Sequence, residues 1–216
     1  MAVTVYTYGQ LQKSLLSGLL NFSSDTIKAM LLSAHTVGTT LDTAQFLNTV
    51  LAAGTEASGS GYTTGGATLA SKTVTYTAAN SWGVQRANST AYTVGDVIRP
   101  VSANGYVYQA VVGGTSGGSV PTYPTVIGTT VTDGGVTWAC QGTGVLVADA
   151  ADPSWTTSNP GTLAGAYIVF YKDTGTASTS PVIVLWDLGG TQTASNGGTF
   201  TPTLDSTEGL VAMFTN

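Results

Sequence analysis

In the last third of the chain the apolar runs are short, and turn chemistry punctuates them. Residues 166–171 run into Lys172-Asp173-Thr174-Gly175, residues 182–186 end at Asp187-Leu188-Gly189-Gly190, and Asn196-Gly197-Gly198 precedes residues 200–204. Such runs are too brief for helices that bury a stripe, and Asp, Asn and Gly at their ends reverse a chain through side-chain-to-backbone bonds and positive φ. They read as strands. Residues 166–171 and 182–186 are apolar at successive positions, which predicts cover on both faces. Thr73-Val74-Thr75-Tyr76-Thr77 alternates strictly instead, which predicts a half-buried strand with Val74 and Tyr76 on one face. Several strands joined by Gly-rich turns predict a mainly β chain, a β-sandwich or barrel-like domain with one or two short helices.

The helices are expected near the N-terminus. Residues 10–20 place Leu11, Leu15 and Leu19 at i, i+4 and i+8, with Leu16 and Leu20 beside them. A helix this short is marginal alone, so its stripe must dock on a sheet or on another subunit. Residues 26–33 read as a buried strand. Residues 41–51 carry Phe46, Leu47, Val50 and Leu51 at helical spacing with Asp42 as cap, and so read as a second short helix. Residues 59–66 form a Gly, Ser and Thr loop.

From 82 to 142 the texture changes. Gly, Tyr, Val and Pro are dense there, and Pro100, Pro121 and Pro124 exclude regular helix. This stretch reads as a small all-β module inserted into a discontinuous domain formed by residues 1–81 plus 143–216. Loop-closure entropy grows slowly with length, so a surface turn tolerates such an insert.

Charge narrows the function by exclusion. Only 8% of the residues are Asp, Glu, Lys or Arg, against about a quarter in ordinary soluble domains. The six basic residues, Lys13, Lys28, Lys72, Arg86, Arg99 and Lys172, are scattered, and the net charge is −5. Phosphate backbones are gripped by clustered cations, so nucleic-acid binding is not expected. Cys140 stands alone and forms no intramolecular disulfide, which leaves it a small core residue. Residues 1–20 lack the features of a signal peptide and no run is long enough to span a bilayer, so synthesis in the cytoplasm without membrane attachment is expected.

The outer segments contain Ser24-Asp25-Thr26-Ile27-Lys28, Gly59-Ser60-Gly61-Tyr62-Thr63-Thr64-Gly65-Gly66, Asp149-Ala150-Ala151-Asp152-Pro153-Ser154-Trp155, and Tyr171-Lys172-Asp173-Thr174-Gly175 followed by Thr179-Ser180-Pro181. In this order they resemble a family of tailed-bacteriophage virion proteins, head decoration or tail-associated. The resemblance implies a structural particle component made in the host bacterial cytoplasm. Its partners would be the major capsid protein or other virion proteins and further copies of itself, and it would need no cofactor and no metal.

Within the insert, Ala91-Tyr92-Thr93-Val94-Gly95-Asp96-Val97-Ile98, then Asn104-Gly105-Tyr106-Val107-Tyr108-Gln109-Ala110, then Gly135-Val136-Thr137-Trp138 resemble small chitin- and cellulose-type carbohydrate-binding modules. That likeness nominates Tyr92, Tyr106, Tyr108 and Trp138 for binding surface glycans. On the residues alone, Asn104-Gly105 signals a hairpin, and Tyr106, Tyr108 and Ala110 share one strand face. Exposed, these aromatics would make a stacking platform; turned inward, they would make the core that so small a module needs.

No catalytic constellation stands out. His35 has no acidic or nucleophilic partner placed by a motif. Asp149 and Asp152, joined in space by Asp173 or Asp187, would suit calcium, but turn and cap chemistry is the preferred reading of them. Gly113, Gly114, Gly117 and Gly118 lack the lysine and helix of a phosphate cradle. The expectation is a non-enzymatic virion protein, a capsid decoration protein whose subunit contacts use Leu11, Leu15 and Leu19. The alternative is a tail or fibre-associated adhesion protein that binds glycans through the insert.

Overall fold

The computed structural model describes residues 3–203 and 209–215. The chain is mainly β, of the sandwich-like class, with antiparallel sheets that do not close into a barrel. It divides into two compact units, residues 1–73 with 148–211 and residues 74–147 with 212–216.

The first unit is built on a six-stranded antiparallel sheet. Its strands run in the order Thr4–Thr7, Val182–Ser195, Thr162–Lys172, Ile27–His35 and Gly54–Glu56, with Ala67–Thr68 also pairing with Ile27–His35. Met30, Leu32, Val169 and Leu185 lie in one buried cluster with Tyr8, Ala44, Leu47 and Val50. The alternate residues Leu31, Ile168, Phe170 and Trp186 are also buried, and the Phe170 and Trp186 rings stand 5.0 Å apart. Both faces are therefore covered, as the unbroken apolar runs predict. Each such side chain withdrawn from water contributes about 1.5–3 kcal/mol.

Three local expectations change. The first helix spans only Leu11–Leu16, because Ser17 Oγ turns back to the Lys13 carbonyl at 2.7 Å and Gly18 adopts φ +71°. The second helix spans Leu47–Ala52 with Phe46 at its N-cap position, not Asp42. Phe46 bridges to Pro181, Val182 N donates to the Gln45 carbonyl, and Leu47 N donates to the Ser180 carbonyl, so extended pairing takes the residues that would have started the helix. Asp187-Leu188-Gly189-Gly190 is not a turn between strands. Gly189 and Gly190 have positive φ, Asp187 Oδ1 accepts from Gly189 N at 2.9 Å, and the strand continues to Ser195 with a shifted register. The reversal comes at Asn196-Gly197-Gly198 and leads into Thr199–Phe200, while Leu204 of the expected final strand lies outside the described residues.

The second unit holds a four-stranded sheet in the order Thr130–Asp133, Val136–Gly142, Val107–Val112 and Val97–Ile98. A three-stranded sheet follows the order Val211–Thr215, Gly144–Asp149 and Thr73–Ala78. The unit is larger than residues 82–142. Ala79, Trp82, Val97, Val107 and Val145 form one buried cluster, so the module shares its interior with the strands that flank it. Trp82 Nε1 is satisfied there by the Val97 carbonyl at 3.0 Å.

Candidate interaction surfaces

The four aromatics nominated for glycan binding do not form an open platform. Trp138 and Tyr108 are each 0% exposed, in a cluster with Ile98, Ala110, Tyr123, Val136 and Cys140. Trp138 pairs across strands with Ala110 and Val131, and its Nε1 donates to Asp133 Oδ2 at 3.0 Å. The Tyr92 ring meets Trp138 edge-on at 4.9 Å and is partly buried against the same cluster. Tyr108 stacks at a tilt 4.6 Å from Tyr123, donates to the Pro124 carbonyl at 2.6 Å and accepts from Asn104 Nδ2 at 2.7 Å. Burial pushes its phenol up to about 12, against the opposing bond from Asn104. Tyr106 is partly buried against the same cluster. The reason is the one that small modules impose: the aromatics are the core. Cys140 is buried beside them, and burial pushes its thiol up.

What holds this interior is a group that no sequence motif marked. Arg86 and Asp133 are paired with side-chain exposures of 0% and 1%. Arg86 Nε donates to Asp133 Oδ2 at 3.0 Å and Nη2 donates to Oδ1 at 2.7 Å. Nη2 also reaches the carbonyls of Gly117 at 2.6 Å and Ser119 at 2.9 Å, and Nη1 donates to Asn88 Oδ1. Asp133 accepts further from Gly117 N at 2.9 Å. The loop of glycines near 113–118 is thus pinned to a buried ion pair.

The leucine stripe is split. Leu11 is buried, Leu15 is half-buried and Leu19 is exposed, with Leu16 91% exposed beside them. Leu11 therefore belongs to the fold of its own unit, and Leu16 and Leu19 are the residues that face outward. Val5, on the edge strand Thr4–Thr7, is also exposed.

Three of the four carboxylates weighed for calcium are engaged separately. Asp149 Oδ1 accepts from Ala150 N at 2.8 Å, Asp173 Oδ1 accepts from Gly175 N at 2.9 Å while Oδ2 pairs with Lys28 at 2.6 Å, and Asp187 caps its bulge. Among the described residues no group of three or more His, Cys, Asp or Glu side chains is arranged to hold a metal. A cavity of about 470 Å³ in the first unit is lined by Val3, Leu188, Gln192, Phe200 and Pro202 among others, and no titratable side chain lines it among the described residues.

His35 ends the strand Ile27–His35, with Nε2 3.1 Å from Thr40 Oγ1 and its ring edge-on to Tyr167 at 5.9 Å. Burial pushes its pKa below the ordinary value. The folded state prefers the neutral imidazole, so this stability is present above the unfolded value of about 6.5 and is lost as pH falls below it. Calorimetry should show Tm dropping between pH ~6.5 and ~5 more steeply in the wild type than in His35→Gln. Equal slopes would mean that His35 does not report on folding.

No protein-family model, no curated protein and no solved structure matches this chain.

Proposed function

We propose that this chain is a non-enzymatic structural protein of a tailed-bacteriophage particle, a decoration protein that binds the capsid exterior through the major capsid protein or neighbouring virion proteins. The carrying observation is where the charges go. All six cationic side chains donate within their own unit. Lys28 pairs with Asp173, Lys172 with Asp25 and Arg86 with Asp133. Lys13 donates to Gln45, Lys72 to the Asp25 carbonyl and Arg99 to the Trp82 carbonyl. Several acids are occupied too: Glu56 accepts from Tyr62 Oη and Gly65 N, and Asp96 accepts from Thr93 N. Side chains committed in this way are poorly placed to shuttle protons or neutralise phosphates, whereas exposed uncharged strand edges suit packing against other proteins.

The order of the phage-like motifs supports the same reading. The glycan-binding alternative draws less support, because the faces of Tyr108 and Trp138 are spent on the core. The test is to locate the chain in purified particles. Image reconstruction with antibody labelling is expected to show it in fixed copy number on the outer shell. Its absence from particles, with turnover of a polysaccharide by the free protein, would overturn the proposal.

A further inference from the structure

The strand Thr73–Ala78 is an edge with little to cover it. Among the described residues its strand neighbour is Gly144–Asp149, on one side only. Its residues are exposed apart from Thr77, with Val74 at 43% and Tyr76 at 54% even though the Tyr76 ring lies over Gly144 of the neighbouring strand, so the burial expected from its alternation is only partly supplied by this chain. The strand carries no charge and no proline, and natural proteins commonly use both to protect such edges.

We propose that this edge pairs antiparallel with the same strand of a second copy, extending the three-stranded sheet across a two-fold axis. Thr73-Val74-Thr75-Tyr76-Thr77 is nearly palindromic, and its symmetric register places Thr75 opposite Thr75. That register sets Val74 opposite Tyr76 twice on one face and Thr73 opposite Thr77 twice on the other. Aromatic with β-branched and Thr with Thr are favourable cross-strand pairs. The backbone agrees. Ala79 N donates to the Thr143 carbonyl on the neighbour side, so by alternation the N–H and C=O of Val74 and Tyr76 point to the open edge, where this register joins them. Charge selects the occupant. The chain carries −5 overall, yet no acidic residue lies between Glu56 and Asp96, so this is where two copies of an acidic chain meet without carboxylates in register. The proposal stands whether or not the protein belongs to a virion, because it is tested on the free protein.

The experiment is sedimentation of the full chain at about 100 μM, alongside Thr75→Glu, Thr75→Ser and Thr75→Cys. The wild type and Thr75→Ser should have twice the 21.8 kDa chain mass. Thr75→Glu, which sets two carboxylates face to face on the axis, should be a monomer with unchanged circular dichroism. In a non-hydrogen-bonded pair the Cα atoms lie about 4.5 Å apart, within disulfide reach, so Thr75→Cys with oxidised glutathione should become a cross-linked dimer while the wild type, with only buried Cys140, should not. A monomeric wild type, or a Thr75→Glu variant that remains dimeric, would sink the proposal.

Discussion

Arg86→Ala is expected to cost the second unit about 3–5 kcal/mol, because removing one partner of a buried ion pair strands the other charge away from water. Asp133 would keep Trp138 Nε1 and Gly117 N as donors, but its carboxylate would lose the cation that offsets its burial. The carbonyls of Gly117 and Ser119 would lose their donor as well. Asp133→Ala should be comparably severe, since it strands the guanidinium. Replacing both by leucine should recover only part of the loss, because Trp138 Nε1, Gly117 N and the two carbonyls would then lack partners.

The pH dependence follows from the same pair. Burial pushes Asp133 up, but Arg86, Trp138 and Gly117 N together outweigh it and hold the carboxyl below the ordinary value. A lowered folded pKa contributes stability that is present above the unfolded value of about 3.9 and lost as pH falls through the folded one. Urea unfolding should therefore show a sharp fall in the midpoint for Arg86→Ala at pH 7, and a wild-type midpoint in which this contribution survives at pH 5. A midpoint within error of wild type for Arg86→Ala would show that the pair is not what holds the glycine loop.

How far the fold is legible depends on whether the deciding contact is local. The runs at 166–171 and 182–186 announce central strands because a continuous apolar segment has to be covered on both faces. Asp173 and Gly175 announce their turn because the carboxylate bonds the backbone two residues on. Asp187 and Gly189 use the same chemistry, yet there the strand goes on, because Thr193 and Ala194 still find Ala164 and Leu163 to pair with. The alternation at Thr73–Ala78 locates a strand correctly, but periodicity cannot say whether anything covers its apolar face. The aromatic spacing in the insert marks residues that matter without saying which way they point. Arg86 and Asp133 were invisible, since a lone Arg and a lone Asp 47 residues apart leave no pattern.

Gly66→Ala is expected to destabilise the first unit strongly, by roughly 3 kcal/mol or more, because two penalties coincide there. Gly66 has φ +80°, a conformation that strains any L side chain, and a Cβ built there would overlap the carbonyl of Ala29 in the central part of the sheet. Ala29 is fully buried and pairs with both Phe170 and Ala67. To make room, the Ala67–Thr68 strand would have to leave Lys28 and Ala29. The adjacent Gly65 holds two polar ties, Gly65 N to Glu56 Oε1 at 2.5 Å and the Gly65 carbonyl to Tyr171 Oη at 2.7 Å, and both would loosen. Gly175 supplies the control. It has the same φ of +80° but nothing within 4 Å of its Cβ position, so Gly175→Ala should cost only the conformational part, about 1 kcal/mol. The difference between the two variants in thermal unfolding isolates the close approach of loop to sheet. If both lose the same stability, backbone strain alone explains Gly66, and the seating of this loop against Ala29 is not what fixes that edge of the sheet.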